Sequence, residues 1–208
     1  MSDMIPRDRP IRFYFDFLSP YAYLGSVAIE RFAARLGYRV EWRPVLLGIT
    51  VLKIMGMKPL MEVPLKGPYL ARDFVRQAEY LGIPALPFAQ AQSIAPLPPM
   101  RAFVMLDEDD PVLAKRFGQE VFHARWVRGE NPSTPEGLTA IGRRLDIDPA
   151  GLIAANQDQT TKERLRTRVD EAIGQGVFGV PTFEVGGELF WGADHLPQLE
   201  RWLATGGW

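Results

Sequence analysis

A chain of 208 residues with 24 basic and 25 acidic side chains and a formal net charge of −1 fits one domain, or one domain carrying a large insertion. The balanced charge, spread along the chain rather than gathered in a basic stripe, excludes a phosphate-backbone binder, so no nucleic-acid partner is expected. Without cysteine there is no disulfide, thiolate metal ligand or redox thiol, and His123 and His195 alone do not make a metal site; any thiol chemistry must use an imported thiol.

Residues 1–10 are polar and lack the apolar core of a secretory signal. The longest aliphatic region, residues 45–52, falls far short of the roughly 20 residues that cross a bilayer. No membrane association and a cytoplasmic location are the default expectations.

Apolar residues run densely from Ile11 to Leu18, then Ser19 and Pro20 follow, predicting a core strand that turns directly into a helix with Ser19 as N-cap and Pro20 at the first helical position. The unpaired N–H groups of such a first turn, with the positive end of the helix dipole and the Ser19 hydroxyl, make a seat for an anion; capping alone is the other reading. Val27, Ile29, Phe32 and Leu36 carry the helix to Gly37. Residues 38–43 alternate apolar and charged side chains up to Pro44, a half-buried strand. Strand, helix and strand with short connections form a βαβ unit with parallel strands.

The next hundred or so residues read as a helical insertion. Helical spacing spans 70–81, and residues 84–99, with five prolines, form an irregular connection. Further helices are predicted over 100–106, 112–126 and 135–145, with a short piece over 149–156. From about Thr161 the α/β pattern returns, with a helix on Leu165, Val169 and Ile173. A β-hairpin follows over 181–191 around Gly186–Gly187, and a closing helix has Leu196, Leu199, Trp202 and Leu203 inward.

Two stretches, Phe15-Asp16-Phe17-Leu18-Ser19-Pro20-Tyr21-Ala22-Tyr23-Leu24 and Gly176-Val177-Phe178-Gly179-Val180-Pro181-Thr182-Phe183 with Gly187-Glu188-Leu189-Phe190-Trp191-Gly192-Ala193-Asp194 after it, resemble the glutathione-dependent 2-hydroxychromene-2-carboxylate isomerases. These are relatives of kappa-class glutathione transferases and DsbA-type oxidoreductases. The likeness covers nearly the whole chain. It implies an α/β, thioredoxin-like fold with a large α-helical insertion, the thioredoxin-like part being 1–48 plus 161–208 and the insertion 49–160.

The resemblance further implies glutathione as cofactor, a small aromatic substrate, a role in aromatic catabolism and a homodimer. Ser19 would hold the glutathione sulfur, stabilising a thiolate rather than attacking. Val180–Pro181 resembles a cis-proline loop whose Val180 backbone pairs with glutathione; a trans proline opening a strand is the plain alternative. Asp194 would reach the γ-glutamyl ammonium, with N-capping of the last helix as its other reading. Lys66, just before a helix starting near Tyr69, would meet a carboxylate, and is otherwise solvated surface. Phe17, Met57, Trp126 and Trp191 would line the substrate pocket, with core packing the competing account for the aromatic three.

Three departures from the family pattern bear on substrate. Met57 stands where a polar asparagine is common, Gln77 where a tryptophan is common, and His195 where an arginine often follows the aspartate. The expected activity is a glutathione-dependent isomerisation of an unsaturated aromatic keto acid. A kappa-like glutathione transferase is the alternative, and a redox-inactive thioredoxin-like peptide-binding module is the alternative from another class.

Overall fold

The computed structural model describes residues 5–208; residues 1–4 of the polar N-terminal segment lie outside the described residues. Strand β1 (Ile11–Phe15) is central. Strand β2 (Val40–Pro44) pairs with it in parallel, Ile11 opposite Val40, after the crossover helix α1 (Pro20–Leu36). On the other side β3 (Thr182–Val185) runs antiparallel, Tyr14 opposite Thr182, and β4 (Glu188–Trp191) pairs with β3, giving the order β2-β1-β3-β4. The β3–β4 turn is Gly186–Gly187, both at positive φ (64° and 91°), as a tight two-residue hairpin requires. This mixed sheet, followed and preceded by helices in this order, is the thioredoxin-like arrangement expected from the sequence.

Helices α2 (Lys66–Leu81), α3 (Leu97–Asp109), α4 (Pro111–Trp126), α5 (Pro135–Leu145) and α6 (Pro149–Ala154) lie between β2 and α7 (Gln159–Gly174), and α8 (Leu196–Thr205) follows the hairpin. Three boundaries differ from expectation. Strand β2 starts at Val40 rather than Tyr38, because the Gly37 and Tyr38 N–H groups both donate to the Ala33 carbonyl and close α1. Helix α2 begins at Lys66 rather than near Tyr69, and α3 at Leu97 rather than Met100. Both have prolines in the first turn, Pro68 in one and Pro98 with Pro99 in the other, where a missing N–H costs nothing. The aliphatic run after β2 winds into a π-helical segment, Gly48–Ile54, and a 3-10 turn, Leu60–Glu62, neither of which has a sequence signature. Among the described residues no helix is long and apolar enough to cross a membrane.

The core joins sheet and insertion. Phe13 and Phe15 of β1, Trp42 of β2 and Phe183 of β3 point to one face of the sheet, with Phe13 5.0 Å from Trp42 and 5.7 Å from Phe183 between ring centres. Phe103 of α3 and Phe122 of α4 close on them, 5.0 and 6.1 Å from Phe15. Gly118 lets α4 approach: a Cβ there would lie 2.8 Å from the Trp42 ring.

That contact sets the sign of a mutation. Gly118→Ala gains roughly 1 kcal/mol of helix propensity but overpacks the ring at a cost of about 1–3 kcal/mol, so a net loss of about 1 kcal/mol is expected. Gly174→Ala at the end of α7, with nothing within 4 Å of its added Cβ, is expected to stabilise by about 0.5–1 kcal/mol. Urea unfolding midpoints of the two variants, shifted in opposite directions, check the pair.

Candidate active site

Tyr14 pairs with Thr182, so the C-terminal end of β1 and the N-terminal end of β3 lie at one edge of the sheet. Ser19 and Val180–Pro181 both sit at that edge. Ser19 has extended backbone (φ −87°, ψ 121°); its Oγ accepts from the Ala22 N–H at 3.1 Å and its carbonyl from the Tyr23 N–H at 3.2 Å. Pro20 has no N–H to give. The Ser19 hydroxyl hydrogen and the Tyr21 N–H therefore have no acceptor among the described residues, at the positive end of a 17-residue helix. Ser19 is 7% exposed, so a group reaching it leaves bulk water and feels the dipole at reduced screening.

Behind Ser19 stands a charged pair that the sequence reading passed over. Asp16 is fully buried; its Oδ1 accepts from the Leu18 N–H at 2.9 Å and its Oδ2 from the Leu47 N–H at 2.8 Å. The Ser19 N–H donates to the Asp16 carbonyl at 3.0 Å. Burial pushes the Asp16 carboxyl up to about 6, against the opposing pull of those two N–H groups and of Arg125. Arg125 of α4, 7% exposed, donates to the Phe17 carbonyl at 2.8 Å and stacks over Trp126, and burial lowers it to about 10. A lone acid ending an apolar strand, and a lone arginine within the apolar run Val121–Trp126, were the available signals, since a buried charge requires partners.

The Val180–Pro181 peptide is cis, and among the described residues no hydrogen bond engages the Val180 N–H or carbonyl. The loop is held by Thr182 Oγ1 donating to the Gly179 carbonyl at 2.7 Å and by the Gly192 N–H donating to the Pro181 carbonyl at 2.8 Å. Gly25 of α1 faces it: a Cβ there would lie 2.8 Å from Pro181 Cβ. A glycine inside a helix is a signal of close approach, here between the two chain segments that make the seat.

The other expected residues fall into two groups. Lys66 opens α2, exposed and without an acidic partner among the described residues, while Met57 and Trp191 are 44% and 47% exposed. Asp194 does not cap α8: it lies in the 3-10 turn Ala193–His195, His195 holds the N-cap position, and the carboxylate is open to solvent 3.6 Å from His195 Nδ1. Phe17 and Trp126 are 0% exposed and pack as core, Phe17 against Phe122 and Trp126 against Phe74 and Phe88. They back the site and present no open wall. Phe178, absent from the expected set, stands 44% exposed with its ring 5.2 Å from Trp191, forming an aromatic shelf beside Val180. A surface cavity of about 340 Å³ between β4 and α8 is lined in part by Trp191 and His195, another of about 550 Å³ lies along β2, and Ser19 lines neither.

Asp16 has a testable pH signature. Its carboxyl titrates higher in the folded chain than in the unfolded one, so between about pH 4 and 6 the unfolded state sheds the proton first and stability falls as pH rises. The penalty is complete above about pH 6 at roughly 3 kcal/mol. Asp16→Asn removes this slope while losing one acceptor at every pH. Urea unfolding of both proteins is expected to show the variant gaining about 2.5 kcal/mol on the wild type between pH 4 and 7.5; a constant difference would mean that Asp16 titrates normally.

The chain is similar to several known proteins over nearly its whole length. It is 28% identical to 2-hydroxychromene-2-carboxylate isomerase of Pseudomonas putida over 91% of this chain and 92% of that one. It is 26% identical to glutathione S-transferase kappa 2 of Caenorhabditis elegans, covering 96% of this chain and 94% of the relative. A solved structure of 2-hydroxychromene-2-carboxylate isomerase superposes with a TM-score of 0.81 at 27% identity, covering 92% of each chain. The profile of the DSBA-like thioredoxin domain matches residues 10–204, and the chain belongs to the DsbA-like thioredoxin family.

Proposed function

We propose that the chain is a glutathione-dependent isomerase of an unsaturated aromatic keto acid, with glutathione bound across the edge where Ser19 and Val180–Pro181 meet. One observation carries the reading: the Ser19 hydroxyl hydrogen and the Tyr21 N–H are both without acceptors among the described residues at the start of α1, in a chain that has no thiol of its own. A free thiol of cysteine type has a pKa of about 8.5, and a helix N-terminus with a hydroxyl donor lowers it toward neutrality. Ser19 then stabilises the thiolate and is not the nucleophile. Val180 offers its free N–H and carbonyl to the tripeptide backbone as an added strand would. Asp194, exposed and uncommitted to capping, suits the γ-glutamyl ammonium, and Lys66 suits a carboxylate.

In the proposed reaction the bound thiolate adds to an electrophilic carbon of the substrate's conjugated system, and the electron pair moves onto the keto acid's carbonyl oxygen. Rotation about the resulting single bond follows; the pair returns, the C–S bond breaks and glutathione leaves unchanged. Positioning and a preformed thiolate supply the acceleration. The transferase reading differs only in whether the adduct is released, and the kappa-class relatives favour carrying it alongside. A cytoplasmic setting, reducing and rich in glutathione, suits a chain without cysteine.

Calorimetric titration of reduced glutathione from neutral to alkaline pH, with thiolate absorbance followed in parallel, tests the seat. Wild type is expected to form thiolate well below pH 8.5. Ser19→Ala is expected to raise the bound thiol's pKa toward the free value of about 8.5 at a stability cost of about 1 kcal/mol for the lost cap. Absence of binding at millimolar glutathione would sink both enzymatic readings. Glutathione recovered after turnover marks the isomerase; glutathione consumed marks the transferase.

A further inference from the structure

Strand β4 ends the sheet on one side, so one of its edges is free, and helix α8 packs beside it. The cavity of about 340 Å³ lies between the two. Alternation along the strand sends its aromatic residues to both sides of the edge. Phe190, opposite Phe183, faces the aromatic layer and meets Trp202 of α8 at 5.9 Å between ring centres, while Trp191, opposite Thr182, faces the other way. Trp208 closes on Trp202 at 5.2 Å with the planes 77° apart, and the Phe190 and Trp202 planes stand 66° apart. Three of the five tryptophans thus gather round one small cavity, and two of them, Trp191 and Trp208, remain exposed. Indole left open in this way, where packing would otherwise seal it, presents ring surface to whatever enters.

The polar lining has a definite sign. Glu188 is its acid and forms no ion pair among the described residues, and no lysine or arginine lines the cavity. Arg201 stacks on Trp208 at 5.0 Å but stays outside the lining, so a cationic group already rests on one of these rings. His195 adds an unmet demand: its Nδ1 is buried without a hydrogen-bond partner, the Asp194 carboxylate at 3.6 Å lying beyond bonding distance. The larger cavity along β2 lacks this character. It carries lysine and arginine as well as acids, and Lys115 there already holds Glu30 at 3.0 Å. Indole faces carry negative potential, and together with an unpaired carboxylate they select a positive charge.

We propose that the cavity at the free edge of β4 binds a small organic cation of the hydroxyalkylammonium class. The ammonium lies against Trp202 and Trp208 with Glu188 as counter-ion, and the hydroxyl meets the His195 imidazole. The volume is at the low end of the roughly 300–1,000 Å³ typical of ligand pockets, which suits such a molecule better than a peptide. Ser19, Val180, Pro181 and Asp194 do not line this cavity, so the inference stands apart from the glutathione reading.

Choline and its uncharged isostere 3,3-dimethylbutan-1-ol, titrated into the full chain by calorimetry with tryptophan fluorescence in parallel, test the site. Choline is expected to bind about tenfold tighter than the alcohol, as contact of a cation with indole beside a carboxylate supplies. Trp208→Leu, which changes an exposed residue outside the core, should cut that ratio to about threefold or less. Glu188→Gln should weaken choline about threefold and leave the alcohol unchanged. His195→Ala should weaken choline and spare tetramethylammonium, which has no hydroxyl. Equal binding of choline and the alcohol to the wild type would overturn the proposal, as would a choline affinity that neither Trp208→Leu nor Glu188→Gln moves. Saturation with S-methylglutathione supplies the last arm, since that ligand carries a γ-glutamyl ammonium of its own. Choline binding undiminished by it supports a separate site; displacement of choline would make the cavity an extension of the glutathione seat and overturn the proposal.

Discussion

The Asp16 carboxylate holds the site together. One oxygen fixes the turn that delivers Ser19, through Leu18, and the other fixes the start of the π-helical segment, through Leu47. Arg125, from the insertion, holds the Phe17 carbonyl in between. Three parts of the chain far apart in sequence are thus registered by two buried charges and three backbone groups. Such an arrangement is costly in desolvation, since burial displaces the titration of both groups, and its return is geometric: the start of α1 rests on a buried, hydrogen-bonded support.

The helical insertion is part of the same body as the sheet. Phe103 and Phe122 complete the aromatic layer begun by Phe13, Phe15 and Trp42, so the buried residues form one cluster across both. Helix α2 reaches the site by the Tyr21–Asp73 bond, and Asp73 also accepts from Tyr69 and Arg76. Burial and the neighbouring Asp73 both raise the Tyr21 hydroxyl's pKa, which keeps it the donor in this bond. Lys66, seven residues before Asp73 and two turns up the same face, inherits its position from that anchor.

Much of this was legible in the sequence because local chemistry and global fold agree. Ser19-Pro20 specifies a helix start, Gly37 a helix end, and Gly186–Gly187 a hairpin, and each holds in three dimensions. Boundaries failed where prolines act as first-turn residues rather than breakers, at Pro68 and at Pro98 with Pro99. Asp194 looked like a cap because aspartate so often is one, but the 3-10 turn interposes His195. The Asp16–Arg125 support and the close approach of Gly25 to Pro181 depend on pairings between residues more than a hundred positions apart, which no periodicity encodes. Aromatic residues drew attention by type, yet Phe17 and Trp126 are sealed, and burial is a property of the assembled core.

The strand order has a consequence for how the protein is made. Strand β1 and its partner β2 are both made early in the chain, but the other edge of β1 is filled by β3, close to the end of the chain. Throughout synthesis of the helical block that edge carries free N–H and C=O groups, a template for pairing with a neighbouring nascent chain. Because the same late segment carries Val180 and Pro181, the event that closes the vulnerable edge also brings the cis Val180–Pro181 loop against the start of α1. A chain released early carries both an open strand edge and an unfinished candidate site.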